Sequence, residues 1–214
     1  MYTATVPSAI VNATVVFGGT FNPIHLGHID AAKTVSRLLG SAGVRMMLAG
    51  NPRLRDEFPE AIQHRWQMLQ LACAAEVNLI ADATEMHDMG STRTIETVEK
   101  LGGRPDKPVI WALGDDAAAS LPRWVRYDAL RLKASFFVLK RTNVCLAPVC
   151  DDFQMVDHAS DLAAEAGRVY ISQSPVLDIS ATTIRNKISQ NKPVNRWLHP
   201  EVLAYIIDKQ LYRA

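Results

Sequence analysis

The stretch Phe17-Gly18-Gly19-Thr20-Phe21-Asn22-Pro23-Ile24-His25-Leu26-Gly27-His28 decides how the rest of the chain is read. A short apolar run, 14–17, leads into it, and a helical pattern with Val35, Leu38 and Leu39 on one face leads out of it to Gly40, a helix stop. Strand, glycine turn and helix in that order place the turn at the carboxyl edge of a sheet, where open α/β folds bind ligands. Gly18 and Gly19 let the main chain turn sharply and approach a ligand with no Cβ in the way. The helix begins near Gly27, so its free N–H groups and positive dipole end face the same spot and favour a phosphate. The stretch is neither a Walker loop nor the GxGxxG dinucleotide fingerprint. It offers instead His25 and His28, two rings able to donate N–H bonds to one anion. A metal pair and a structural histidine cluster are the competing readings.

Working outward, further runs at 44–48, 77–81, 109–113, 135–139 and 168–171 are compact and apolar rather than alternating. Strands covered by helices on both faces have that pattern. Between them, Ile62, Trp66, Leu69 and Cys73 recur at three- and four-residue steps along one helical face. Repetition of strand and helix predicts right-handed crossovers and a doubly wound, mostly parallel α/β sheet with helices on both faces, a Rossmann-like arrangement. Two places break the rhythm. The connection 141–167, with Asp151, Asp152, Asp157, Asp161 and Glu165, is expected to be a surface excursion with some helix in it. The end of the chain, 179–212, is expected to be a C-terminal helical segment with helices over 180–189 and 200–209. With no internal repeat and no Gly/Ser linker, one domain over 1–214 is expected.

Composition narrows the function classes. Of 214 residues, 48% are hydrophobic and 21% charged, which argues against a disordered, collagen-like or coiled-coil chain. Lys and Arg number 23 against 22 Asp and Glu, so no global field draws the chain to nucleic acid or an acidic membrane, and neither partner is expected. Cys73, Cys145 and Cys150 are too few and odd in number for a disulfide scaffold, and Cys145 and Cys150 lack zinc-site spacing. The apolar runs are far shorter than the ~20 residues a helix needs to cross a membrane. Residues 1–13 carry no Lys or Arg, so they lack the positive start of a secretory signal, and a cytoplasmic setting is expected.

A second phosphate signal lies at Asp178-Ile179-Ser180-Ala181-Thr182-Thr183-Ile184-Arg185. Ser180 is a good N-cap, which leaves the N–H groups of Ala181, Thr182 and Thr183 open to a ligand. Arg185, one turn on, can return a fixed positive charge to the same anion. Taken alone, an ordinary capped helix with a surface arginine explains it as well.

The pattern GGTFxPxHxGH resembles the signature of the HxGH nucleotidyltransferases, and the form GGTFNPIHLGHI is similar to that of the bacterial nicotinate-mononucleotide adenylyltransferase family. That family usually has Asp where this chain has Asn22. The resemblance implies an ISxTxIR motif that holds the ATP phosphates opposite the HxGH loop, and Ser180, Thr182 and Arg185 supply it. Gly114-Asp115-Asp116 resembles the family's GxD turn, Leu121-Pro122-Arg123-Trp124 its F/L-P-x-W segment, and 201–212 its closing helix.

Several roles follow from the resemblance as expectations. His25, His28 and Arg185 are expected to be catalytic. Gly18, Gly19, Thr20, Phe21, Asn22, Asp116, Ser180 and Thr182 are expected to bind ATP. Trp124 is expected to stack on the pyridine ring, a buried core tryptophan being the other reading. Thr94 matches the threonine of the family's carboxylate-recognition segment, and Arg93 stands where the family usually has Tyr, so that its charge would favour the acid over the amide. Where the family carries PPHK after the second strand, this chain has Asn51-Pro52-Arg53-Leu54-Arg55, with Arg53 and Arg55 as phosphate clamps or solvated groups.

The reaction implied is adenylate transfer from ATP to nicotinate mononucleotide. The acceptor phosphate is already an anion, so no protein base is needed, and catalysis reduces to alignment and charge stabilisation. The nucleophile elbow GxSxG is absent, which argues against a covalent acyl route. Magnesium is expected to arrive bound to ATP, with no metal site built into the motifs. Nicotinamide mononucleotide and phosphopantetheine are alternative acceptors, a non-catalytic nucleotide-binding module is the rival class, and a homodimer is compatible with the sequence.

Overall fold

The computed structural model describes residues 13–40, 43–50, 59–86, 93–141 and 144–213. Seven strands, β1 (Thr14–Gly19), β2 (Val44–Leu48), β3 (Leu79–Asp82), β4 (Val109–Gly114), β5 (Ala134–Leu139), β6 (Gln154–Met155) and β7 (Arg168–Ser172), form one sheet in the order β3-β2-β1-β4-β5-β7-β6. Each pairing between them is parallel. The helices are α1 (Leu26–Leu39), α2 (Ile62–Ala74), α3 (Thr94–Lys100), α4 (Asp115–Ala118), α5 (Tyr127–Arg131), α6 (Ala147–Asp152), α7 (Ala181–Ser189) and α8 (Pro200–Asp208).

The apolar runs are continuous because both faces of the sheet are buried. Along β1, Val15 and Phe17 enter a core with α1, α2 and the C-terminal helices, while Val16 enters a second core with α3, α4 and α5. Strand β5 divides the same way, with Phe137 and Leu139 on the first face and Phe136 and Val138 on the second. The chain works outward in one direction through β1, β2 and β3, then returns to β1's other side with β4. The crevice at that reversal, outside the carboxyl ends of β1 and β4, is where a doubly wound sheet opens.

Three expectations need correction. The third strand begins at Leu79 rather than Val77, because residues 77 and 78 form the turn that lets the Asn78 carbonyl accept the Val44 N–H, and Val77 is left almost fully exposed. The connection 141–167 contains a seventh strand, β6, too short to announce itself in sequence. Helix α2 turns Arg65, Met68, Leu69, Ala72 and Cys73 inward, with Ile62 and Trp66 only partly buried. An arginine therefore sits at the centre of a face that was read through its apolar members. Among the described residues no helix is long and apolar enough to cross a membrane.

Candidate active site

The glycine turn closes on itself and then caps a helix. Phe21, held at φ 45° in the left-handed region, folds its ring back under Gly19, where any Cβ would lie 2.6 Å from the ring. Its buried ring meets the imidazole of His28 edge-on at 5.0 Å. His25 is the N-cap of α1, and its Nδ1 accepts the His28 N–H while His28 Nδ1 accepts the His25 N–H, both at 3.3 Å. The two histidines thus make a reciprocal capping box, work usually done by Ser or Thr with Glu. Their rings stack with centroids 3.6 Å apart and planes 17° from parallel.

This arrangement fixes the chemistry of the pair. An Nδ1 that accepts a backbone N–H leaves the proton of a neutral imidazole on Nε2, so each ring, when neutral, is an Nε2–H donor. Burial, reinforced by the positive charge of Arg141, pushes the pKa of His25 down to about 4. His25 is therefore a neutral hydrogen-bond donor across the physiological range.

A cleft of about 180 Å³ opens beside these rings. Its walls include Gly18, Gly19, Thr20, Phe21 and Asn22 of the turn, His28 and Ala31 of α1, Gly114 at the end of β4 and Asp116 just past it, Arg141 beyond β5, and Ala181 at the start of α7. The last of these brings the second motif to the first. Gly27 makes the approach feasible, since a Cβ there would meet the Leu177 carbonyl at 2.9 Å. The Leu177 N–H donates to Asp30, and the Leu26 N–H donates to the Trp197 carbonyl, so the segment before α7 and the one before α8 both lie along α1.

Ser180 caps α7 by accepting the Thr183 N–H. Arg185 reaches across to the Asn22 carbonyl, Nη1 donating at 3.0 Å, and also donates to the Thr182 hydroxyl at 3.4 Å. His28 and Ala181, the first residue of the helix that carries Arg185, therefore line one cleft, while His25, Ser180, Thr182 and Arg185 themselves are not among its lining residues. Asn22 is buried, its Oδ1 accepting both the Tyr212 hydroxyl and the Glu60 N–H.

Arg141 was missed in sequence because it follows β5 outside both motifs. Buried Asp115 fixes it there, one carboxylate oxygen accepting the Arg141 N–H and the other the Asp116 N–H. The guanidinium lies 4.0 Å from Asp116. Among the described residues no group of three or more His, Cys, Asp or Glu is placed to hold a metal ion.

Of the residues expected to bind the acceptor, Arg93, Thr94 and Trp124 are not among those lining the cleft. Arg93 is the N-cap of α3, exposed and 3.6 Å from Glu96, so its charge is partly offset, and Thr94 opens the same helix. Trp124 follows a 3-10 turn, Leu121–Arg123, and is half-buried, its indole N–H held by Ser120 Oγ, whose own proton goes to the Ala117 carbonyl. Arg53 and Arg55 lie outside the described residues.

A family model described as cytidylyltransferase-like matches residues 16–187. The chain belongs to the cytidylyltransferase-like family. Nicotinate-nucleotide adenylyltransferase of Escherichia coli O6:H1 is 30% identical over 208 residues, covering 92% of this chain and 97% of that protein. A Citrobacter koseri protein named as a probable nicotinate-nucleotide adenylyltransferase is 30% identical over 207 residues, again 92% and 97% of the two chains. In structure, the chain resembles Plasmodium falciparum nicotinic acid mononucleotide adenylyltransferase complexed with NaAD, with a TM-score of 0.68, 19% identity, and 94% and 97% of the two chains covered. The same protein complexed with APC gives a TM-score of 0.67 at 18% identity, over 94% and 96%. At those identities the structures establish the fold, and the sequence relatives establish the family.

Proposed function

We propose that this chain, acting as one nucleotidyltransferase domain, transfers adenylate from ATP to nicotinate mononucleotide and releases pyrophosphate. One observation carries the reading. His28, whose ring stacks on that of His25, and Ala181 at the start of α7 line a single cleft with the glycine turn, and Arg185 of α7 is bonded to that turn at the Asn22 carbonyl. Relatives of nearly the same length bear the corresponding name.

In the reaction, an oxygen of the acceptor phosphate attacks the α-phosphorus of ATP. The bond between that phosphorus and the α,β-bridging oxygen breaks, and its electron pair leaves with pyrophosphate. No proton has to move, so the protein's task is alignment and charge stabilisation. The Nε2–H donors of His25 and His28, the N–H groups at the start of α7 and the guanidinium of Arg185 supply that for the triphosphate, with Arg141 also lining the cleft. Magnesium, bound to the phosphates, would offset their charge. Asp116 is the carboxylate among the described cleft residues that would approach it, through retained water.

For the acceptor, Trp124 stacks on the pyridine ring, Arg93 and Thr94 recognise its carboxylate, and the charges of Arg53 and Arg55 suit a phosphate. The test is pyrophosphate release from ATP with nicotinate mononucleotide, nicotinamide mononucleotide and phosphopantetheine in parallel. Turnover with the nicotinate form well above the others is expected. A preference for the amide reassigns the acceptor, and binding of ATP with no release for any acceptor points to a nucleotide-binding module.

A further inference from the structure

Arg65 has an unusual place for an arginine. It is 2% exposed, on the inward face of α2, and no described carboxylate forms an ion pair with it. Its guanidinium is enclosed by main-chain carbonyls instead. Nε donates to Glu60 at 2.9 Å, Nη1 to Thr20 at 2.9 Å and to Ala49 at 3.0 Å, and Nη2 to Gly50 at 3.2 Å. Four of its five N–H donors are thereby matched to oxygens on three separate stretches of chain. One is the phosphate turn, the second is the exit of β2, and the third is the entry to α2. Burial lowers its pKa, yet an arginine stays protonated, so a permanent cation is held directly behind the turn.

Burying a charge away from water is expensive even with Glu60 attracting it from a distance, and an apolar side chain on that helix face would serve the core better. What the arginine gains is span. A planar fork can hold three strands of chain at once, which the point charge of a lysine cannot. Two other bonds tie the same stretches, from the Ala49 N–H to the Gly19 carbonyl at 2.9 Å and from the Glu60 N–H to Asn22 Oδ1 at 3.1 Å. The turn that presents Gly18 to Asn22 to the cleft is thus fastened on its hidden side.

We propose that Arg65 is a positioning residue for adenylyl transfer. It sets the phosphate turn, and through the turn the histidine pair, at the distance from α7 that the reaction needs, without touching substrate. This rests on the adenylyltransferase reading above. The variants Arg65→Lys, Arg65→Gln and Arg65→Ala are compared with wild type for kcat and KM for ATP, with turnover expressed per ATP-binding site counted by titration, so that misfolded protein drops out. Each folded variant is expected to lose about a hundredfold in kcat, with KM for ATP changed less than threefold, because misplacement by an ångström is felt at the transition state. Millimolar guanidinium is expected to restore at least tenfold of the turnover of Arg65→Ala, with equimolar methylammonium giving no gain. If Ala does not fold, the Lys and Gln variants carry the test through the kcat and KM split. Wild-type-like turnover per site in the folded variants, or equal response of Arg65→Ala to guanidinium and methylammonium, overturns the proposal. The wild-type rate in the same assay separates the two claims, since an inactive wild type refutes the function and leaves Arg65 aside.

Discussion

The hydroxyl of Tyr212 donates to the side-chain carbonyl oxygen of Asn22 at 2.9 Å, joining residues 190 positions apart. The same oxygen accepts the Glu60 N–H, and the Asn22 main-chain carbonyl accepts Arg185. Three distant stretches therefore meet on one residue of the phosphate turn. Asn serves at this position because both bonds its side chain makes need only an acceptor.

Tyr212→Phe removes one of those donors and little else. It is expected to lower stability by about 1 kcal/mol, and to lower kcat a few-fold with KM for ATP little changed as the turn loosens. Thermal melts and initial rates check this, and a variant identical to wild type in both would show that the bond does not steady the turn.

His25 should make folding sensitive to acid. Its pKa falls from 6.5 in the unfolded chain to about 4 in the folded protein. At pH above 6.5 both states are neutral there, and the full stability is present. As pH falls through that window the unfolded state takes up the proton first, and about 3 kcal/mol is lost by pH 4. His25→Asn keeps a capping side chain that does not titrate, so its urea-unfolding free energy between pH 7 and 4.5 should decline less than that of wild type.

Arg141 acts on the same ring. Its charge helps to hold the His25 pKa down, after burial. Arg141→Gln should therefore shift the His25 titration upward, followed by NMR of the imidazole, and should lower kcat by tenfold or more if the guanidinium stabilises the triphosphate. An unmoved midpoint would mean that burial alone sets it.

His28 has two jobs that different substitutions separate. His28→Ala loses the reciprocal cap and the Nε2–H donor, so it should cost about 1 kcal/mol of stability and roughly a hundred- to a thousand-fold in turnover. His28→Asn retains an acceptor for the His25 N–H and should recover stability with turnover still low. Near-normal turnover in either variant removes His28 from the mechanism.

Ser120 tests the role given to Trp124. Ser120→Ala leaves the indole N–H without its partner. If Trp124 stacks on the pyridine ring, KM for the mononucleotide should rise several-fold while KM for ATP holds. Equal changes in both would favour a purely structural tryptophan.

What could be read without coordinates was local. The runs at β2, β4, β5 and β7 are mostly apolar without strict alternation, Gly40 ends α1 with φ 59°, and Ser180 caps α7, each a property of neighbouring residues. Features that depend on distant partners were not legible. Arg65 counts as polar in any periodicity, yet four carbonyls from elsewhere in the chain let it lie inside. Nothing in the spacing of His25 and His28 announces that each caps the other, because that depends on ring orientation at the helix start.

The sequence by itself determined the doubly wound sheet, the glycine turn and the two phosphate motifs, because glycine conformations, helix caps and apolar runs are short-range physics. Only the tertiary structure decided that the motifs share a cleft and that Arg141 joins them. The strand order reverses between β1 and β4, and long-range bonds from Leu26, Leu177, Arg185 and Tyr212 draw the end of the chain onto α1 and the turn.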